Sequence, residues 1–363
     1  MSRLPFPYTI GYSHNSTLDT FVHAYEQKIY QLAQAHLAND IELTQSNIEF
    51  LTLGDIASNL LLIEKNENLE AIRQSKVYIE AEWKRFQKDG IDALLSKKGK
   101  KIPWTNILLT ENDYTPGGVA RINHPSQKDG EKVSWFSTID EQDWLTLYAK
   151  VFDTLRAIDP WFYSEITQVL QKIVPIGISK DSHNSGSFSD CIGHIYMSYP
   201  IWRLDPVIAV LEAVIHEYNH NKLHIIKISD PLITNSWEEI YYSPYRPDAR
   251  HLNGIYAWLH ALTAVIFVMF SWLDRWAILY DESLVLKSIL YFMKDAASIR
   301  VLEKYGNFTE LGLELLKEMK ELQNSTLELI KKQNYSRALL DSATYECRKH
   351  FIEAQKNNKV LIY

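Results

Sequence analysis

The chain has 363 residues, 46% hydrophobic, 23% charged and 12% aromatic, which is ordinary globular composition with ample apolar material for a core. A net charge of −7 argues against a nucleic-acid partner, which needs a basic face. Two cysteines, Cys191 and Cys347, are too few for a disulfide framework and point to a reducing, cytoplasmic setting.

In chain order, residues 1–18 read as extended and loop-like, without the apolar h-region of a signal peptide. Ser16 or Thr17 is expected to cap a helix near 19–38, and further helical patterns run over about 44–64 and 66–88. The segment 89–134 reads as loop with a short hairpin. It holds Asp89-Gly90, the run Lys97-Lys98-Gly99-Lys100-Lys101, expected as a solvated loop tip, and Pro116-Gly117-Gly118. Helices follow at about 140–157 and 160–173, the second opened by Asp159-Pro160 as cap and first residue. Residues 174–204 change texture, with glycine, serine and β-branched residues, and 193–198 (GHIYMS) reads as a strand able to take a peptide by edge addition.

Residues 205–228 (DPVIAVLEAVIHEYNHNKLHIIKI) form the densest signal. Asp205-Pro206 is a cap followed by proline, and Val207, Val210, Leu211, Val214 and Ile215 recur at helical spacing. Inside lies His216-Glu217-Tyr218-Asn219-His220, an HExxH. Residues four apart share one helix face, so His216 and His220 can offer two imidazoles to one metal, with Glu217 beside them. After a proline-punctuated loop at 229–250, helices are expected at about 251–274, 283–304, 307–332 and 334–356. The stretch 254–272 carries no formal charge and is nearly long enough to span a bilayer, but it stands alone and contains His260 and Thr263. A buried core helix is the expected reading, and no membrane partner. The fold class is therefore mainly α, a multi-helix protein with a zincin-like HExxH helix and a small β element. The whole of 1–363 reads as one continuous catalytic unit, with a helical layer at 1–173, a metal and cosubstrate core at 174–275, and C-terminal helices at 276–363.

The third ligand decides the chemistry. His224 continues the series, but two four-residue steps along a helix put it about 12 Å from His216, so it is expected as a wall or surface residue. Glu238, Glu239, Asp248 and His260 remain. A downstream glutamate would complete a zinc peptidase with Glu217 as the base that activates water. A carboxylate or third histidine with open positions suits non-haem Fe(II). His260, in an otherwise apolar stretch, is either such a ligand or a satisfied core histidine.

HEYNHNKLH (216–224), YSPYRPDAR (242–250) and Leu252-Asn253-Gly254 opening an apolar helix belong together. In this combination the chain resembles the HExxH-type α-ketoglutarate-dependent peptide β-hydroxylases that modify ribosomally made peptides. The likeness covers about eighty residues; where a proline commonly follows the second arginine, this chain has His251. The resemblance implies Fe(II), held by His216, His220 and a third ligand taken here as His260, with Asp248, Glu238 and Glu239 as the alternatives, and α-ketoglutarate whose distal carboxylate meets Arg246 and Arg250, with guanidinium groups suited to bidentate carboxylate binding. It implies hydroxylation at Cβ of a precursor peptide contacted by Tyr196, Tyr242 and Tyr245. Glu217 then orients a ligand or water instead of serving as a hydrolytic base. Two other readings stand beside it: a zinc peptidase on the HExxH alone, and a helical binding protein in which the motif is vestigial.

Overall fold

The computed structural model describes residues 16–38, 40–110, 139–179, 184–200, 206–276, 282–333 and 335–357, and among these the protein is mainly helical with one small sheet. Its contacts divide the chain into two compact units, residues 22–225 and residues 226–363, the second with the N-terminal end up to Phe21.

The first unit begins with four helices: α1 (Ser16–Leu37, whose start lies in the other unit), α2 (Ile48–Leu51), α3 (Gly54–Lys65) and α4 (Leu69–Ser96). The side chains of Ser16 and Thr17, expected as a cap, fall outside the described ones, as does Pro116-Gly117-Gly118. Asn68 caps α4 by accepting from the N–H groups of Glu70 and Ala71. The expected loop at Asp89-Gly90 is instead a break within α4: Gly90 takes φ 79°, a left-handed value open to glycine, and the helix resumes to bury Leu94.

The lysine run needs a second correction. Lys98 is buried, paired with the buried carboxylates of Asp55 and Glu82 and lying 5.6 Å from the Tyr78 ring centre. Burial would raise the Asp55 carboxyl, but Lys172 and Lys98 outweigh it and hold it well below the usual range. Lys97, Lys100 and Lys101 do remain exposed. A run of like charges reads locally as solvated; of the two partners of Lys98, Asp55 lies 43 residues upstream, where no local pattern points.

The expected hairpin exists as β1 (Lys100–Lys101) and β2 (Leu108–Leu109), paired antiparallel. Helices α5 (Glu141–Ile158) and α6 (Pro160–Val169) match the expected positions, and Asp159 accepts from the Phe162 N–H at 2.9 Å, the anticipated cap. The second of them is shorter than expected, because β3 (Lys172–Ser179) begins where the pattern reads as helix to 173. With β4 (Ser185–Gly186) and β5 (His194–Pro200) the sheet runs β1-β2-β3-β5-β4. β5 pairs parallel with β3 and antiparallel with β4, so it is an inner strand, buried along nearly its whole length. The edge expected to receive a peptide is thus already occupied by β4 opposite Tyr196 and Met197. Gly54, at the start of α3, is required by packing: a Cβ there would lie 2.3 Å from Nε2 of buried His194.

Helix α7 (Pro206–Ser229) carries the HExxH, and the boundary between the two units falls near its C-terminal end; the expected cap, Asp205, lies outside the described residues. The second unit continues with α8 (Leu252–Trp276), α9 (Glu282–Tyr305), α10 (Glu310–Lys332) and α11 (Arg337–Asn357). α8 packs against α9 and α10, and α9 also against α11. The stretch Leu252–Trp272 is long and apolar enough to cross a membrane, yet 83% of it is buried by the protein's own helices, as a core helix is. Thr309 caps α10 through the Gly312 N–H, and Gly312 itself leaves room for the backbone of Leu232, whose carbonyl oxygen would lie 2.0 Å from a Cβ.

Candidate metal centre

Within the first unit, α7 turns one face to the protein interior and leaves His216 and His220 half-buried on another. Their spacing along the helix brings the two rings together, with centroids 4.5 Å apart and planes nearly perpendicular. The two Nε2 atoms lie 3.0 Å from each other. Two imidazoles bound to one metal at about 2.1 Å, with an angle of about 90–109° between them, place their nitrogens about 3.0–3.4 Å apart. The separation of the two nitrogens is therefore within the range that a shared cation requires.

Glu217 is buried and fully engaged. One carboxylate oxygen accepts from Ser185 Oγ and the other from Ser187 Oγ, each at 2.7 Å. Both serines come from β4 and the residue after it, so the short strand holds the acid of the motif. The rest of α7 is pinned just as firmly. Asn221 accepts from the Gly193 N–H at 2.7 Å and donates to the carbonyls of His194 and Glu217, tying the helix to the start of β5. Gly193 can make that approach at φ 86°. Tyr218 and Lys222, one turn apart, both donate to Oε1 of Glu165 on α6, the lysine at 2.9 Å. All three are buried. Burial pushes the Glu165 carboxyl up against the opposing pull of Lys222 and Tyr218, and it pushes the Tyr218 hydroxyl far up.

Sequence reasoning misses the anchoring residues Ser185, Ser187, Asn221, Lys222 and Glu165. For Asn221 and Lys222 a signal exists: with Tyr218 they place polar groups at i, i+3 and i+4 of an otherwise apolar helix, and a buried polar face needs partners. For Glu165 there is none.

The remaining candidates sit in the second unit. His260 is fully buried on α8. Glu238 and Glu239 are exposed, the latter accepting from Tyr241 Oη at 2.7 Å. Arg246 and Arg250 both turn to Asp248, with the Arg250 contact at 2.7 Å and the Arg246 contact at 3.5 Å. Partial burial would raise the Asp248 carboxyl, but Arg250, a backbone hydrogen bond and Arg246 together hold it below its ordinary value. Tyr242 Oη meets His350 Nδ1 at 3.2 Å, and Tyr245 stacks on Trp258 at 5.7 Å. Tyr196, in the first unit, is a core residue: its ring packs edge-on against Phe188 and its hydroxyl contacts Cys191 Sγ at 3.7 Å. His224 is half-buried. Among the described residues, no group of three His, Cys, Asp or Glu side chains is gathered closely enough to hold a metal. No protein-family model matches the chain, and no curated protein matches it.

Proposed function

We propose that this chain is an Fe(II)- and α-ketoglutarate-dependent hydroxylase acting at Cβ of residues in a ribosomally synthesised precursor peptide. The observation that carries the metal part of this reading is the convergence of His216 and His220, Nε2 to Nε2 at 3.0 Å, on a helix fixed at its back by Glu165 and Asn221. The peptide and cosubstrate parts rest on the sequence block at 242–254, which joins two arginines and several aromatics to the HExxH.

In this reading His216 and His220 would hold the metal, and the sequence leaves the third protein ligand open between His260, Asp248, Glu238 and Glu239. Iron with α-ketoglutarate supplies an oxidising chemistry that no side chain of the protein can supply. Arg246 and Arg250 bind the distal carboxylate of the cosubstrate, and Asp248 keeps the two guanidinium groups together. Glu217, with both oxygens occupied by serine hydroxyls, fixes the orientation of the helix face next to the metal. Tyr242 and Tyr245 would contact the peptide.

The alternative is a zinc peptidase in which Glu217 activates water. The anchoring of Glu217 favours a positioning role over that of a base, because a base has to present an oxygen to water in the site. Two measurements on the intact protein separate the readings. Metal analysis after anaerobic Fe(II) loading should give near-stoichiometric iron in the wild type and little in His216→Ala/His220→Ala. Incubation with the co-encoded peptide should add about 16 Da, one oxygen atom, with release of succinate. A cleaved peptide, with cleavage lost in Glu217→Gln, would establish the peptidase instead, and an iron content unchanged in the double variant removes the site altogether.

A further inference from the structure

The second unit holds a cavity of about 590 Å³ between α9 and α11, closed on one side by Tyr242 and Pro244. Its size is that of a small-molecule site, about 300–1,000 Å³. Most of its wall is apolar, with Met293, Ala297 and Val301 along one face of α9 and Phe351 across from them on α11. The polar groups that enter it are nearly all of one sign. Lys294, Arg300, Lys304 and Arg348 line it, and no acidic side chain stands among the described residues of its wall.

These cations differ from several others among the described residues. Arg73, Lys97, Lys98, Lys222, Lys320 and Lys331 each sit against a carboxylate. Lys294, Arg300 and Arg348 make no such ion pair with any described residue, in a chain of net charge −7. Glu346 acts electrostatically on Lys294 and Glu353 on His350, but neither lines the cavity. Lys294 is half-buried, and desolvation lowers its affinity for a proton against the pull of Cys347 and Glu346, the state of an ammonium short of a counter-ion. His350 is already engaged: its Nδ1 contacts Tyr242 Oη at 3.2 Å, and its ring also hydrogen-bonds the Arg246 backbone.

We propose that this cavity is a binding site for an amphipathic organic anion, whose apolar body packs on Met293, Ala297, Val301 and Phe351 and whose anionic head is met by Lys294, Arg300 and Arg348 at the rim. Apolar wall and unpaired cations supply the two halves of the recognition. A neutral ligand would leave the cations unused, and a small dianion would leave the wall wet. The site does not depend on the oxygenase reading, and its test measures binding alone.

The test is a fluorescence titration of the full chain with 8-anilinonaphthalene-1-sulfonate, compared with N-phenyl-1-naphthylamine, which has the same rings and no charge. One saturable site is expected for the sulfonate, with the uncharged probe about tenfold weaker or more. Arg300→Glu/Arg348→Glu, two exposed positions, should weaken the sulfonate by a similar factor and leave the uncharged probe unchanged. Ala297→Trp, which fills the cavity, should abolish both. In the wild type, decanoate should displace the sulfonate and decylamine should not, a comparison that stands even where Ala297→Trp fails to fold. Equal binding of the two probes, equal displacement by the acid and the amine, or a sulfonate affinity untouched by the charge-reversed pair overturns the proposal.

Discussion

Helix α7 carries Glu217, Tyr218, Asn219, Asn221 and Lys222 into the interior, and helix α8 carries His260, Thr263 and Ser271. On α7 the buried polar groups are met by partners brought from elsewhere: Ser185 and Ser187 for Glu217, Glu165 for Tyr218 and Lys222, the Gly193 N–H for Asn221. On α8, Thr263 donates to Oδ2 of Asp295 on α9 at 2.9 Å, and the other oxygen of that buried carboxyl has no hydrogen-bond partner. Burial drives Asp295 far above its ordinary range, with no cation to oppose it, so it is buried as the neutral acid. Glu165 is also pushed up by burial, but Lys222 and Tyr218 pull against it. The two helices thus make different interiors. One holds buried charge in place with matched partners, and the other dispenses with it.

The sharpest way to break this contrast is Lys222→Met. It leaves Glu165 buried without its cation, and the protein should lose about 3–5 kcal/mol in urea unfolding. Adding Glu165→Leu should restore most of that loss, since an apolar pair of similar volume tolerates the same burial; a double variant as unstable as the single one would refute the pairing as the cause.

Asp295 tests the other helix through pH. In the unfolded chain its carboxyl ionises around the ordinary value of 3.8, while in the fold it keeps its proton far above that. Folding therefore takes up a proton once the pH exceeds that of the unfolded group, and stability falls as pH rises further, by at most about 1.4 kcal/mol per pH unit. Asp295→Asn carries no such proton. The difference between wild type and Asp295→Asn should shift steadily against the wild type as the pH rises above about 4, and parallel stability curves would show that the carboxyl is not buried neutral.

Smaller effects follow from single hydrogen bonds. Ser185→Ala or Ser187→Ala removes one of the two hydroxyls that hold Glu217, at about 1.5–3 kcal/mol for a bond to a charged group. On the proposed function, the pair of substitutions should also weaken Fe(II) binding by about 10–100-fold in equilibrium dialysis, the usual loss when a group orienting a metal site is removed. Thr263→Val should cost least, about 1 kcal/mol, because the neutral carboxyl it faces retains its own proton. A cost equal to that of the serine substitutions would erase the distinction between the two helices.

Much of the molecule is legible in the order of its residues. Helical periodicity locates α5 and α8 to α11 within a few residues, and Asp159 caps its helix where Asp-Pro announces it. The HExxH spacing alone brings His216 and His220 together, because a helix makes that juxtaposition locally. The misreadings share one cause. Asp89-Gly90 looks like a loop because a glycine break inside a helix and a glycine turn have the same local appearance, and only the packing of Leu94 distinguishes them. Lys98 looks solvated because its partners, Asp55 and Glu82, come from other elements. The strand at 194–200 is visible in the pattern, but its neighbours in the sheet are not, so its edge looks open where β4 covers it.

By itself, then, the amino-acid order determined what is governed by contacts within a few residues: which segments are helical, where they are capped, and which two imidazoles share a face. Only the tertiary structure decided what each buried polar group meets. It brought Ser185 and Ser187 to Glu217 across 32 and 30 residues and Glu165 to Lys222 across 57, and it gathered Lys294, Arg300 and Arg348 around one cavity. The physical reason is that desolvating a charge costs far more than any local propensity provides, so its partner must come from wherever the fold can bring one.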